Sequence, residues 1–227
     1  MPYCPMDCII RDGKQCRINE DECVDCGVCL RANVCPKDSL FMPEENYEYP
    51  RAIRMQFSDP CCMHPKMKSF GRGTEEAKTN DVTGKFGRGE YGLLIEFGRP
   101  CIGTRFTEIE KVTLAMRAKG LPILPDNPVF GLLKEDMSGY FKEEYVNEKV
   151  LSAILETRFK EDELEDVLGT IIPVLATLDT VVSVGLVSRF EDDGNLPIIE
   201  KLEKMGLGIK VRPNAKINVG LGRPLVN

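Results

Sequence analysis

The segment ECVDCGVCLRANVCPKDSL, residues 22–40, carries Cys23, Cys26, Cys29 and Cys35. Its C-x2-C-x2-C spacing packs three thiols into one short loop, which suits cysteinate ligation around a 4Fe-4S cube. Zinc sites generally pair two distant C-x2-C knuckles, so a triple with Gly27 in its tight turn favours iron. A fold built on this segment has to bring a fourth ligand to the same small volume.

Ten cysteines are present and none lies beyond Cys101. A disulfide framework would not leave most of a chain unstapled, and the start MPYCPMDC has neither a charged nor an apolar signal region, so clustered thiols read as metal ligands. At 227 residues the chain can form one large domain or two small ones around a real core. Its 30 basic and 36 acidic side chains give a net charge of -6, which argues against nucleic acid or an anionic membrane as partner. No apolar run approaches the roughly 18 residues that span a bilayer. A soluble, cytoplasmic protein is expected.

The cysteine segment resembles the bacterial-type 4Fe-4S ferredoxin family, in which C-x2-C-x2-C is followed by Cys-Pro and the Cys-Pro of one half ligates the cluster of the other. YCPMDCIIRDGKQCRINEDEC is similar to the end of a first ferredoxin half: Cys4-Pro5, an Asp12-Gly13 turn, and a strand leading into Cys23. The resemblance implies a ferredoxin-like module over residues 1–42, with one cluster held by Cys4, Cys23, Cys26 and Cys29. It also implies that Cys35 faces the place of a first cluster whose own motif would precede Met1. The family generally has three residues between the third cysteine and Cys-Pro, whereas five separate Cys29 from Cys35 here.

Cys8, Cys16, Cys35, Cys61, Cys62 and Cys101 are then unassigned. One reading builds a second, irregular cluster from Cys8, Cys16, Cys35 and Cys61 or Cys62. The other makes Cys8 and Cys16 small buried hydrophobes beside the first cluster, since free cysteine packs well in cores. His64, the lone histidine, follows the Cys61-Cys62 pair and reads as an ordinary loop residue or as a metal ligand. A cluster with three protein ligands and an open iron is a further alternative, against which the spare cysteines argue.

Downstream, residues 43–60 read as an extended connector, and 66–105 as a polar, glycine-rich tract of the kind that is generally functional when ordered. The domain plan is residues 1–42, a connector with the glycine-rich loop over 43–90, and an α+β domain over 91–227. Tyr91–Phe97 predicts a strand. Thr107 and Glu110 have capping-box spacing before a helix that stops at Gly120. Lys149–Phe159 favours a strand, and residues 161–178 a helix that Gly169 and Pro173 would kink or break. Residues 180–190 predict a strand and Asn195 the cap of a last helix. KGLPILPDNPVFGLL and MGLGIKVRPNAKINVGL, from Lys119 and Met205, form a weak internal repeat, each with two short strands. The expected architecture is an α+β sandwich of ferredoxin-like or ACT-like βαββαβ type, with its helices on one sheet face.

GRGEYG, Gly87–Gly92, satisfies G-x-G-x-x-G, but a strand follows it where a dinucleotide site requires a helix. The tract instead offers anion chemistry through Arg72, Thr74, Lys78, Asn80, Lys85, Arg88, Arg99 and Arg105, with glycines that let backbone N–H groups approach a carboxylate or phosphate. A solvated loop with scattered ion pairs is the alternative. GRGTEEAKTNDVTGKFGRGEYG with EFGRPCIGTRF is also similar to the N-terminal part of 6-hydroxynicotinate reductase and related proteins of anaerobes. That resemblance implies a ferredoxin-dependent reductase, or a subunit of one, acting on an anionic, carboxylated heterocycle with a redox partner or larger catalytic subunit, in an oligomer. The rival expectation is a non-catalytic electron-transfer or metabolite-sensing subunit.

Overall fold

The computed structural model describes residues 3–65, 68, 85–99 and 102–211. β1 (Ile9–Asp12) and β2 (Gln15–Ile18) form an antiparallel hairpin whose turn holds Gly13 at φ +60°. The cysteine loop follows, then the single turn α1 (Val28–Arg31). Residues 43–60, expected to be extended, instead hold a 3-10 turn at Glu44–Tyr47 and helix α2 (Ala52–Ser58). The cause is Ile53 and Phe57, four apart on one helical face and both buried in the main core. Pro50 precedes this helix, where its missing N–H is harmless.

The principal sheet has three antiparallel strands in the order β6-β3-β7. β3 is Glu90–Phe97, β6 Ala153–Lys160 and β7 Val182–Val187, and Leu93 at the centre faces Thr157 on one side and Leu186 on the other. A two-residue ribbon pairs β4 (Thr104–Arg105) with β5 (Lys149–Val150). Alternation places Tyr91, Leu93, Ile95 and Phe97 on one face of β3, within the same apolar core as Phe106, Ile109, Val112 and Met116 of α3 (Phe106–Ala118). Leu164, Val167, Leu168 and Ile171 of α4 (Leu164–Leu175) and Leu202 of α5 (Ile198–Lys204) complete it. The described structure is therefore α+β with small antiparallel sheets.

Local chemistry explains where the elements depart from expectation. α3 begins at Phe106 with Arg105 at its N-cap and no side-chain cap, so Thr107 falls inside the first turn instead of capping it, and the Glu110 carboxylate accepts the Phe141 N–H at 2.7 Å. It ends as the sequence indicates: Gly120 takes φ +72°, and the Leu121 N–H reaches the Met116 carbonyl at 2.9 Å. α4 runs through Gly169 and Pro173, since Pro173 falls in the last turn, where little helix remains to interrupt.

The first copy of the repeat forms no strand pair. Pro122 and Pro125 remove two ladder donors, and Asn127 accepts the Val129 N–H at 2.9 Å to start a 3-10 helix over Pro128–Leu132. Residues 212–227, most of the second copy, lie outside the described residues. Asn195 does not cap α5, whose N-cap is Pro197; its side chain donates to Asp193 at 2.6 Å. GRGEYG runs into β3, as its sequence implies. Gly92 has no room for a Cβ, which would meet the Phe86 ring at 2.4 Å. Among the described residues, no helix is long and apolar enough to cross a membrane.

Candidate metal centre

The β1–β2 hairpin joins the two ends of the cysteine segment. Asn19, just past β2, donates its N–H to the Cys8 carbonyl at 2.8 Å and accepts the Cys23 N–H at 3.0 Å. The loop then turns twice through left-handed backbone, at Asp25 (φ +50°) and Gly27 (φ +67°). Glycine suits this left-handed position, and a Cβ on Gly27 would also displace the Arg31 guanidinium, 2.6 Å away. The result is a cavity of about 230 Å³ lined by Cys4, Cys8, Cys23, Cys26 and Cys29, with Val24, Leu40, Phe41 and Met42 among its apolar walls. That volume is several times the roughly 30 Å³ share of one water molecule, room for a group larger than a single ion.

Four of these thiols are the set implied by the ferredoxin resemblance, and Cys8 joins them. Cys8 and Cys4 sulfurs lie 3.5 Å apart, and the Cys8 N–H donates to Cys4 Sγ at 3.3 Å. The hydrogen bond between Cys8 and Cys23, together with burial, pushes the Cys8 thiol far above its ordinary range, and the same hydrogen bond holds the Cys23 thiol below it. Burial raises Cys26, and like charge on Cys23, Cys4 and Cys29 adds to it. Burial also raises Cys29. Thiolates gathered on one cavity wall repel one another, and a bound metal centre would offset that repulsion. Among the described residues, no three His, Cys, Asp or Glu side chains are close enough to share one metal ion. Cysteinate sulfur is the donor that both iron–sulfur clusters and structural zinc take, so the donor set fits either group by its chemistry.

Three arginines that the sequence reading left unassigned hold the loop in place. Arg51 pairs with the buried Asp25 at 2.8 Å and with Glu20 at 2.6 Å. Asn46 adds a bond to Asp25 at 3.3 Å. Arg54, itself buried, donates to the carbonyls of Glu20, Asp21 and Cys23 at 2.8, 3.2 and 2.7 Å, while its Nε pairs with Glu148. Arg31 clamps the Cys26 carbonyl at 2.6 Å and Asp59 at 2.8 Å. A second bridge ties Glu22 to Lys149 and to Arg105, the latter at 2.9 Å. The i,i+3 pair of Arg51 and Arg54 beside the apolar Ile53 and Phe57 was the available signal for this role.

The other described cysteines are not part of the cavity lining. Cys16 is exposed on β2, Cys35 accepts the Ser39 N–H at 3.3 Å outside the cavity lining, and Cys61 is exposed. Cys62 is half-buried, with its thiol raised by burial. The structure thus does not assemble Cys8, Cys16, Cys35, Cys61 and Cys62 as a second centre. The separation arises because Cys16 rides the hairpin and Cys61-Cys62 follows α2. His64 is buried edge-on against Phe57, with centroids 5.5 Å apart. Cys101, Arg72, Thr74, Lys78 and Asn80 lie outside the described residues.

The four described anion-binding candidates of the glycine-rich tract, Lys85, Arg88, Arg99 and Arg105, each pair with the chain's own carboxylates. Lys85 pairs with Glu156 at 2.6 Å and Asp126 at 3.0 Å, Arg88 with Asp192 at 3.6 Å, and Arg99 with Glu96 at 3.7 Å. Arg105 pairs with Asp21 at 2.7 Å as well as with Glu22. These pairs are dispersed over the fold, and among the described residues they form no common anion cradle.

Comparison with known proteins accords with the cysteine cavity. The ferredoxin of Saccharopolyspora erythraea is 42% identical over 53 residues, which is 22% of this chain and 48% of that protein. That of Streptomyces griseus is 42% identical over 60 residues, 25% of this chain and 55% of its own. The ferredoxin of Mycolicibacterium smegmatis is 40% identical over 42 residues, 18% and 38% of the respective chains. The chain therefore spans about half the length, or less, of the curated relatives it matches. No model of a known protein family and no solved structure matches it. The chain carries a ferredoxin module over part of its length.

Proposed function

We propose that this protein is an iron–sulfur electron-transfer component, with a 4Fe-4S cluster held by Cys4, Cys23, Cys26 and Cys29. The observation that carries the reading is the convergence of those four thiols on one largely apolar cavity. When bound, the cluster supplies one-electron redox chemistry at low potential. The chain's own residues do the rest. Val24 and Met42 exclude water, Arg31 and Arg54 fix the loop carbonyls, and Arg51 balances the Asp25 carboxylate between two ligands.

The electron partner we propose is a basic protein, a redox carrier or a larger catalytic subunit. Residues 1–50 carry ten acidic and five basic side chains. Phe41, which lines the cavity, is 72% exposed, an apolar contact next to the cluster site. The α+β part, over 91–227, is proposed as a ferredoxin-like sandwich that docks that partner. Its strands β3, β6 and β7 suit the first, third and fourth places of a βαββαβ order. Residues 121–124 lie where the second would stand, with the Leu124 N–H 3.5 Å from the Glu156 carbonyl. Anaerobic metabolism of an anionic substrate, in the cytoplasm and in an oligomer, completes the reading.

The test is iron and acid-labile sulfide per chain on protein purified without oxygen, with EPR of the reduced form. About four of each, with a single reduced-state signal, is the expected result. Zinc without sulfide refutes the redox reading, and about eight irons refutes the single-cluster form.

A further inference from the structure

We propose that a second cavity, at the C-terminal end of α3, binds a small aromatic monocarboxylate. This cavity, about 330 Å³ in volume, shares no lining residue with the cysteine cavity. Its size is at the compact end of small-molecule sites. Phe130 and Leu133 form an apolar wall, and Arg117, Lys134 and Lys142 converge on it. Glu135 is the acidic side chain of the lining, exposed at the rim. Basic groups thus exceed acidic ones here, in a chain of net charge -6.

The arginine is aimed before any ligand arrives. Arg117 Nε donates to the Met137 carbonyl at 2.7 Å, and no hydrogen bond from its two terminal nitrogens is found among the described residues. Met137 reaches that position through left-handed backbone, at φ +59°. Gly139, at φ +96°, presses the loop onto α3, where a Cβ would stand 2.8 Å from Arg117 Cγ and 2.9 Å from the Thr113 carbonyl. A guanidinium fixed through Nε presents its outer pair of nitrogens as a fork, the geometry that a carboxylate takes in two parallel bonds. Lys142 donates to the Gly131 carbonyl at 3.4 Å, and no carboxylate pairs with it among the described residues. Lys134 lies 5.8 Å from the Tyr140 ring centroid and 3.7 Å from Glu143. One charged end for the fork and one flat apolar body for the Phe130 wall define the ligand class. A bare inorganic anion leaves the wall unused, and a neutral ring leaves the fork unused.

The test is calorimetric titration of the oxygen-free whole protein with benzoate, benzamide and inorganic phosphate. Cluster absorbance is recorded in parallel, so that loss of the metal centre and loss of this site are told apart. Saturable benzoate binding, at least about tenfold tighter than benzamide or phosphate, is expected. Arg117→Met and Lys142→Met are each expected to weaken it by about tenfold with unchanged circular dichroism. Lys142 makes a single long internal bond, so its variant remains informative if Arg117→Met misfolds. No saturable benzoate binding overturns the proposal. So does equal affinity for phosphate, or a Lys142→Met protein that binds as tightly as the parent.

Discussion

Replacing Arg54 by Met keeps the length of the side chain and removes its charge and donors. Arg54 is 5% exposed, and one terminal nitrogen serves three carbonyls of the loop that enters Cys23 while Nε pairs with Glu148. The variant strands the Glu148 carboxylate and takes the shared donor from those carbonyls. Breaking a buried ion pair on one side costs about 3–5 kcal/mol. The Glu148 side chain is 15% exposed and can recover some hydration, which places the loss near the lower end, about 3 kcal/mol. Glu148→Gln leaves an acceptor for Nε and should lose only about 1 kcal/mol. The assay is urea unfolding without oxygen, followed by far-ultraviolet circular dichroism and by visible absorption. Absorption in Arg54→Met should fall at lower urea than the dichroism, because the missing contacts belong to the cysteine loop. A loss under about 1 kcal/mol, or coincident transitions shifted no more than in Glu148→Gln, refutes Arg54 as the link between loop and fold.

Lys85→Met should lose about 3 kcal/mol in urea unfolding by stranding the buried Glu156, and Lys85→Met with Glu156→Leu should recover most of it. Burial opposes the Lys85 charge, but hydrogen bonds to Glu156 and Asp126 outweigh it and raise its pKa above the ordinary 10.5. Its stabilisation is therefore full below pH 10.5 and is lost as pH rises through the folded value. Unfolding midpoints measured upward from pH 10 should fall in the parent more than in Lys85→Met. Arg51→Met leaves the Asp25 charge uncompensated beside the ligands, so voltammetry should give a lower reduction potential, by on the order of tens of millivolts. Iron analysis should find Cys4→Ser and Cys26→Ser depleted, and Cys16→Ser and Cys61→Ser equal to the parent.

Much of the cysteine centre was legible because its chemistry is local. A C-x2-C-x2-C loop with Gly27 places its thiols by chain geometry alone, and Cys4 and Cys8 are separated from it only by a hairpin whose Asp12-Gly13 turn is readable. Strands Glu90–Phe97 and Val182–Val187 and the stop of α3 at Gly120 were legible for the same reason: apolar alternation and a left-handed glycine are short-range signals. The helix over Ala52–Ser58 was obscured by the prolines around it and by having only two core anchors, Ile53 and Phe57.

What the sequence determined by itself is therefore the thiol loop, its turn residues and the periodicity of the main strands and helices, each set by neighbours within a few positions. The tertiary structure alone decided the use of the charges. Lys85 and Arg105 read as anion ligands because their partners Glu156 and Glu22 lie 71 and 83 residues away, beyond any local pattern. Arg54 reads as one more helix charge until folding sets it between the Cys23 carbonyl and Glu148. A long cationic side chain takes its role from whatever carboxylate or carbonyl the fold buries beside it, because desolvation makes an unpaired charge too costly to leave.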